Sequence, residues 1–224
     1  AVILTIQPGI PIARIELLDD VQMGAINNYA KMDHPVLPTL FLEFHGTEAG
    51  VREQAEQVQE IATEFGGGNF QWSTKTEERT ALWQARHDAA YSMVSLRPGA
   101  SVIVTDVCVP ISQLAQCIRK TKEDIDASGI IAPLVGHVGD GNFHLGYLID
   151  LDDSAEVAKA KEMNEKLVHR ALAMGGTCTG EHGIGSGKLD FLIAEHGEAV
   201  SVMRTLKTAL DPKNIFNPGK IVRV

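Results

Sequence analysis

Two histidines at the ends of a short glycine-containing segment are the first residues that could bind a metal. The segment reads His137-Val-Gly-Asp-Gly-Asn-Phe-His144. An Asp-Gly pair between apolar runs favours a two-residue hairpin turn, with Asp140 and Gly141 at its centre and positive φ at both. This turn would place His137 directly opposite His144, with Cβ atoms about 5 Å apart on one face of the sheet. Asn142 lies two residues from His144 and shares that face. The spacing predicts two adjacent imidazoles beside an amide, which can hold zinc, iron or manganese. A structural cross-strand pair is the alternative.

A glycine-rich loop, residues 175–187, contains a carboxylate and an imidazole side by side at Glu181 and His182. Several glycines in so short a segment allow the backbone to approach another group closely. Together with the two hairpin histidines, Glu181 would complete a set of three metal ligands that leaves one coordination position open, as in catalytic zinc sites. His182 would then be free to act as a general base. A merely flexible loop is the alternative.

An arginine, Arg86, lies on a helical stripe that is otherwise apolar and includes Trp83, Ala90 and Met93. Such an arginine either extends its charge into the solvent or points into a pocket and binds an anion. Its guanidinium group fits a carboxylate with two parallel hydrogen bonds. The pattern alone leaves both interpretations open.

The composition limits the kinds of partner. The chain has 224 residues, 44% of them hydrophobic, which suits one large domain, or one domain with a small appendage, and allows a sizeable core. A formal net charge of −9 argues against nucleic acid as a partner, since phosphate neutralisation needs a surplus of lysine and arginine. The cysteines, Cys108, Cys117 and Cys178, do not have disulfide-framework spacing, which favours a reducing compartment. No apolar run has the length of a transmembrane segment.

Alternating strands and helices must position these side chains, and hydrophobic periodicity predicts where they lie. The expected strands are residues 11–18, 39–44, 70–72, 101–109, 134–138 and 143–149. The expected helices are residues 20–32, 51–65, 77–96, 111–127 and 153–174, followed by two short helical stretches. The sequence contains no Walker loop and no Gly-x-Gly-x-x-Gly between a strand and a helix, so we expect no dinucleotide site within it. The predicted fold class is α+β, a largely antiparallel sheet with helices packed on one face.

Four segments together resemble the carboxy-terminal half of the vanillyl-alcohol-oxidase superfamily of flavoproteins. They are residues 105–110, 137–144, 177–185 and the Asn-Pro-Gly-Lys run at 217–220. The sequence is most similar to the branch of FAD-linked D-lactate dehydrogenases, with glycolate oxidase subunits and D-2-hydroxyglutarate dehydrogenases as near relatives. The resemblance covers essentially the whole chain, and the order and spacing of its two glycine-containing motifs are highly specific.

The resemblance implies a ferredoxin-like cap domain, residues 1–210, lying over the isoalloxazine ring of FAD. It implies that a tail, residues 211–224, returns toward an FAD-binding domain outside this sequence. The tail residues Asn217, Gly219 and Lys220 would contact the cofactor. Because the FAD-binding domain is not part of the sequence, we expect the chain alone to bind metal, to hold FAD weakly or not at all, and to be inactive.

The resemblance also implies roles at the centre of the site. His137, His144 and Glu181 would bind a divalent metal, zinc or manganese. His182 would take the substrate hydroxyl proton while hydride passes from the substrate carbon to the flavin.

For the substrate, the resemblance implies that Arg86 grips its carboxylate, with Asn142 nearby. Relatives that act on D-2-hydroxyglutarate have a threonine one helical turn after the arginine, where this chain has Ala90. A small monocarboxylate is therefore favoured over a dicarboxylate. The implied activity is FAD-dependent oxidation of a small D-2-hydroxy acid, D-lactate to pyruvate, with glycolate and D-2-hydroxyglutarate as alternative substrates.

The implied partners are a small 2-hydroxy acid and an electron acceptor such as a cytochrome or a quinone, and a homodimer is left open. The implied location is the cytoplasm or the periphery of the inner membrane in a bacterium, or the mitochondrion in a eukaryote. Two other classes would fit the metal ligands: a flavin-free two-histidine-one-carboxylate enzyme, such as an iron oxygenase or a hydrolase, and a non-catalytic domain with a structural metal. Neither accounts for Arg86 or for the Asn-Pro-Gly-Lys run.

Overall fold

The computed structural model describes residues 1–68 and 70–224, and for Ala85 the backbone alone. Its helices are α1 (Val2–Ile6), α2 (Asp20–Ala30), α3 (Glu48–Glu64), α4 (Thr76–His87), α5 (Ala89–Ser95), α6 (Ile111–Ser128), α7 (Ser154–Ala173), α8 (Leu189–His196) and α9 (Ala199–Leu210). Its strands are β1 (Ile12–Leu18), β2 (Thr39–Phe44), β3 (Ser101–Val104), β4 (Val107–Cys108), β5 (Leu134–His137) and β6 (Asn142–Ile149). Among these helices, none combines the length and the apolar composition needed to cross a lipid bilayer.

The six described strands form an antiparallel sheet in the order β2-β1-β5-β6-β3, with β4 also paired to β6. Strands β3 and β4 follow one another along the same edge of β6, where Val104 pairs with Gly146 and Val107 with Phe143. The two residues between them, Thr105 and Asp106, interrupt this edge strand. The interruption turns the side chain of Asp106 and the carbonyl of Thr105 toward the site described below.

One face of the sheet carries the main hydrophobic core. Alternate residues of β6, from Phe143 to Ile149, point to this face, because side chains of a strand alternate between its two sides. Helices α6 and α7 close over them with buried residues such as Leu114 and Leu167. This is the arrangement predicted from the sequence.

The opposite face is also covered over part of its area. Leu18 of β1 and Val135 of β5 pack there against Met23 of α2 and against Ala89 and Met93 of α5. Strand β6 is accordingly buried along its whole length, on both sides. The predicted α+β fold with an antiparallel sheet is confirmed, and the structure adds this second helical layer. The site lies on the second face, where α2 and α5 leave the hairpin end of the sheet uncovered.

Three predicted elements differ from the structure. The helix predicted over residues 77–96 is two helices, α4 and α5, which meet at Asp88, where the backbone ψ is −2°. The strand predicted over residues 101–109 is divided by the interruption at Thr105 and Asp106. Residues 70–72 form no strand. In the first two cases the apolar pattern continues past a point at which the regular backbone structure is interrupted.

Candidate metal and substrate site

The hairpin between β5 and β6 has a longer connection than the Asp-Gly pair predicts. Residues 138–141 form a four-residue loop, in which the Asp140 N–H donates to the carbonyl of His137 at 3.0 Å. Gly141 has a φ of 82°, whereas Asp140 does not adopt a positive φ. Because a two-residue turn of the predicted type needs positive φ at both central residues, that turn does not form here.

The longer loop shifts the pairing of the two strands. His137 pairs with Asn142, and His144 pairs with Val135, so the prediction that His137 stands opposite His144 is wrong. The shift is two residues, and a two-residue shift leaves every side chain on its original face of the sheet. The two imidazoles therefore remain neighbours on one face, with ring centroids 5.6 Å apart.

Hydrogen bonds fix the tautomer of each imidazole. The Nδ1 atom of His144 lies 2.9 Å from the carbonyl oxygen of Thr105, which can only accept, so Nδ1 carries the proton. The Nδ1 atom of His137 lies 2.8 Å from a carboxylate oxygen of Glu16, which also accepts. In the neutral form of each ring, Nε2 therefore carries the lone pair and faces the centre of the site. Outer acceptors of this kind are typical of metal-binding histidines.

Glu181 completes the cluster from the glycine-rich loop. Its Oε1 atom lies 3.0 Å from His144 Nε2 and 3.5 Å from His137 Nε2. The three ligand atoms lie within 4.8 Å of one another. Ligand atoms around a tetrahedral zinc ion are separated by about 3.3 Å, given zinc–ligand distances of about 2.0–2.1 Å. The spacing of the cluster therefore suits a divalent cation.

A further observation at His144 supports this fit. Although Glu181 Oε1 is only 3.0 Å away, His144 Nε2 forms no hydrogen bond within the described part of the chain. Burial lowers the pKa of His144 and favours the neutral ring. A lone pair then faces a carboxylate, and two electron-rich groups at this distance are stabilised by a cation between them.

A single buried carboxylate, that of Asp106, holds the loop that carries Glu181. Its side chain is 1% exposed. Its donors are the backbone N–H groups of Gly180 (3.0 Å), Glu181 (3.2 Å) and His182 (3.0 Å), the hydroxyl of Thr179 (2.7 Å) and the ammonium of Lys188 (3.1 Å). Burial raises the pKa of Asp106, but these donors outweigh burial and leave it well below its ordinary value. Asp106 was not predicted as a site residue, and its only signal in the sequence is its position in one of the four segments that resemble the family.

His182 is placed differently from the other two histidines. Its ring stacks on that of His144 with a centroid distance of 4.9 Å and an interplanar angle of 9°. Its Nε2 atom lies 3.6 Å from Glu181 Oε1, beyond hydrogen-bond distance. The side chain is 47% exposed. His182 is thus close to the cluster while its ring remains accessible to a substrate.

Asn142 is buried beside the cluster. Its amide nitrogen donates to Asp106 at 3.2 Å, while its amide oxygen has no hydrogen-bond partner among the described residues. Gly180 packs so closely against this amide that an added Cβ atom would lie 1.7 Å from its nitrogen. Asn142 therefore has an acceptor to offer to a ligand.

Arg86 is part of the site, although its charge is already paired. Its Nε and Nη2 atoms lie 3.2 and 2.8 Å from one oxygen of Glu16, and its side chain is 16% exposed. The sequence left open whether Arg86 reaches the solvent or binds an anion. In this structure Arg86 binds an anion, the carboxylate of Glu16 in the same chain. Glu16 was not predicted. Its signal was a carboxylate within the apolar strand β1, between Ile15 and Leu17.

The tail contacts the glycine-rich loop by a backbone hydrogen bond, from the N–H of Ile221 to the carbonyl of Gly185 at 2.8 Å. The next residue, Val222, is buried in a small cluster with residues of α8 and α9. The predicted cofactor residues, Asn217, Gly219 and Lys220, are exposed. They lie next to this anchor and are not bonded to the histidine cluster in the described structure.

Comparison with known proteins identifies related sequences. A family model described as "FAD linked oxidases, C-terminal domain" matches residues 1–221. The chain is 50% identical over 220 residues to a probable mitochondrial D-lactate dehydrogenase of Danio rerio, covering 98% of this chain and 44% of that protein. It is 42% identical to a mitochondrial D-lactate dehydrogenase (cytochrome) of Arabidopsis thaliana, covering 98% and 39%. It is 31% identical to the glycolate oxidase subunit GlcD of Bacillus subtilis, covering 93% and 45%. The chain spans less than half the length of these relatives.

Solved structures share the fold at much lower sequence identity. The 4-ethylphenol oxidase of Gulosibacter chungangensis aligns with a TM-score of 0.69 and 16% identity, covering 93% of this chain and 47% of that one. A p-cresol methylhydroxylase aligns with a TM-score of 0.66 and 13% identity, covering 94% and 47%. These likenesses support the predicted fold.

Proposed function

Because this chain belongs to the family of carboxy-terminal domains of FAD linked oxidases, we propose that it is the substrate- and metal-binding part of a flavoenzyme that oxidises a small D-2-hydroxy acid, with D-lactate as the first candidate. The observation that carries the proposal is the cluster itself. Two imidazoles with fixed tautomers face one carboxylate, and a third imidazole and an arginine lie beside them. The two mitochondrial D-lactate dehydrogenases that are 42–50% identical support the choice of substrate.

In this proposal His137, His144 and Glu181 hold a divalent metal, zinc or manganese. When bound, the metal would polarise the hydroxyl and carboxylate oxygens of the substrate, and FAD from outside this chain would accept the hydride. The chain's own residues orient the substrate and move its proton. His182 takes the hydroxyl proton, a role that its accessible ring and its position against His144 allow.

Two further side chains would orient the substrate. Arg86 directs Nε and Nη2 toward Glu16, which leaves Nη1 for the substrate carboxylate. Asn142 offers its free amide oxygen as an acceptor beside the cluster. Ala90, four residues after Arg86 and at the start of the next helix, has no hydroxyl to bind a second carboxylate, so D-lactate is favoured over D-2-hydroxyglutarate. Glycolate remains the alternative suggested by the glycolate oxidase relatives.

The wider setting is proposed from the relatives. Residues 1–210 would form the cap, and the tail, residues 211–224, would contact the FAD-binding part through Asn217, Gly219 and Lys220. A cytochrome would accept the electrons, and the mitochondrion would be the location, as the names of the relatives suggest.

The base assignment is tested in a flavin-containing protein that includes this chain. We expect His182→Ala to lower the rate of flavin reduction by D-lactate by about 10²- to 10⁴-fold, the range typical of a lost general base. His196→Ala provides the control, because His196 is an exposed histidine at the end of α8. Stopped-flow absorbance of the flavin measures both rates. Undiminished reduction by the His182 variant would contradict the assignment.

A further inference from the structure

Glu16 is a buried carboxylate to which the proposed reaction gives no task. It lies near the end of β1, with a side chain 9% exposed, on the face of the sheet that carries the histidines. A charged group in such a place is costly unless it is paired. The residues that pair with Glu16 therefore indicate what its buried charge does.

The two oxygens of Glu16 serve two different partners. Oε1 accepts from Nδ1 of His137 at 2.8 Å, and Oε2 accepts from Nε and Nη2 of Arg86 at 3.2 and 2.8 Å. The group is thus a carboxylate whose Oε2 is fixed by Arg86 and whose Oε1 is committed to His137.

The bond to Oε1 determines which nitrogen of His137 can bind a metal. An ionised carboxylate accepts only, so the proton of the neutral ring stays on Nδ1, and Nε2 keeps its lone pair toward Glu181. In the other tautomer, a proton on Nε2 would occupy the position that a metal needs. Arg86 prevents Glu16 from turning away, because its two N–H groups hold the second oxygen.

We propose that Glu16 is a positioning residue that, clamped by Arg86, fixes His137 in the tautomer and orientation required for metal binding. This inference rests on the proposed function, in which His137 is a metal ligand. According to this inference, metal binding also requires Glu16, which would contact neither the metal nor the substrate.

A matched control exists on the neighbouring strand. Glu43 of β2 also pairs with an arginine and a histidine, Arg14 at 3.2 Å and His45 at 2.9 Å. Those partners are 54% and 70% exposed, and neither belongs to the cluster around Glu181. Glu43→Gln therefore removes the same kind of bridge without touching the proposed metal site.

The first experiment titrates the 224-residue chain with Zn²⁺, by calorimetry, and with Co²⁺, by its visible absorption. In Glu16→Gln one oxygen becomes an NH₂ group. Because Arg86 needs the remaining oxygen, this NH₂ faces Nδ1 of His137 and favours the wrong tautomer. We expect the dissociation constant to rise about 10- to 100-fold, the usual effect of losing such an outer partner, and Glu43→Gln to stay within twofold of the unaltered chain. Unaltered affinity in a folded Glu16→Gln chain would overturn the proposal.

A second measurement does not depend on the folding of any variant. In the metal-free, unaltered chain, long-range ¹H–¹⁵N spectra recorded above the titration of His137 identify its tautomer. We expect the proton on Nδ1, and a proton on Nε2 would overturn the proposal.

Failure of the proposed metal site can be distinguished from failure of this inference. If the unaltered chain binds Zn²⁺ no better than His137→Ala does, the proposed metal site fails. If metal binding depends on His137 but not on Glu16, only the inference fails.

Discussion

The site is assembled from two regions that are held in place in different ways. His137, Asn142 and His144 lie at strand ends, where the backbone pairing of β5 and β6 determines their positions. Glu181 and His182 lie on a loop and are 49% and 47% exposed. The first region can be called the sheet half of the site and the second the loop half.

The two halves differ in the contacts that hold them in position. The sheet half is stabilised by many strand hydrogen bonds and by packing on both faces. The loop half is attached mainly through Asp106, whose carboxylate binds three successive N–H groups of the loop and Lys188. The sheet half can lose one of its many contacts and keep its position, whereas the loop half depends on the one carboxylate of Asp106. The two halves should therefore respond separately to substitution, except at Asn142, which also donates to Asp106.

The largest effect is expected from Asp106→Asn. The amide cannot accept from all the loop donors, and it leaves Lys188 without its carboxylate, so we expect the free energy of unfolding to fall by about 3–5 kcal/mol. Urea unfolding measures the change. The exposed pair of Arg119 and Glu123 supplies a control, Glu123→Gln, with an expected change below about 1 kcal/mol.

The same variant separates the two halves of the site. In ring NMR spectra of Asp106→Asn, the signals of His182 should move while those of His137 remain near their original positions. Equal displacement of both histidines would show that the halves are not independent.

An intermediate effect is expected from Gly141→Ala, which disturbs the sheet half. An added Cβ atom would lie 2.0 Å from the carbonyl oxygen of Val109, and φ is already +82°. Left-handed backbone and overpacking together should lower the free energy of unfolding by about 2–4 kcal/mol. Gly175→Ala isolates the backbone contribution, since φ is +75° there with nothing within 4 Å of the added atom. Its expected cost is about 1 kcal/mol, and equal costs for the two variants would refute the packing argument.

The smallest effect is expected from Gly180→Ala, where the two halves touch. The added Cβ atom would lie 1.7 Å from Asn142 Nδ2, so the amide must move and its bond to Asp106 is lost. We expect a cost of about 1–3 kcal/mol in urea unfolding, together with weaker Zn²⁺ binding in calorimetry. Gly187→Ala, which has open space around the added atom, should change neither quantity. Unchanged Zn²⁺ affinity in Gly180→Ala would mean that this contact does not join the two halves.

The sequence correctly predicted that His137, His144 and Glu181 lie close together, but not the strand pairing that brings the two histidines there. The pairing of His137 and His144 was wrong by two residues, and yet the imidazoles are neighbours, because a strand returns to the same face every second residue. The elements were predicted well where apolar periodicity is uninterrupted, as in α6 and β2. Prediction failed at Asp88, where no local signal marks the junction of two helices.

The residues that support the site could not be predicted from local patterns. Glu16 meets His137 across 121 residues of sequence, and Asp106 meets the loop across 74 to 76 residues. Only the pairing of β1 with β5, and the interruption of the edge strand, bring them there. A periodic pattern shows which face a side chain occupies, but it does not show which distant group completes its hydrogen bonds.

The bond between Ile221 and Gly185 has a mechanical consequence. The buried Val222 anchors the end of the chain, and Gly185 follows His182 by only three residues. The carboxy-terminal segment is thus joined to the segment that carries the proposed base both by this hydrogen bond and by the packing of Ile184 against the cluster that contains Val222. Anything that grips or releases the carboxy-terminal segment could in this way adjust the reach of that imidazole while the strands beneath it stay still.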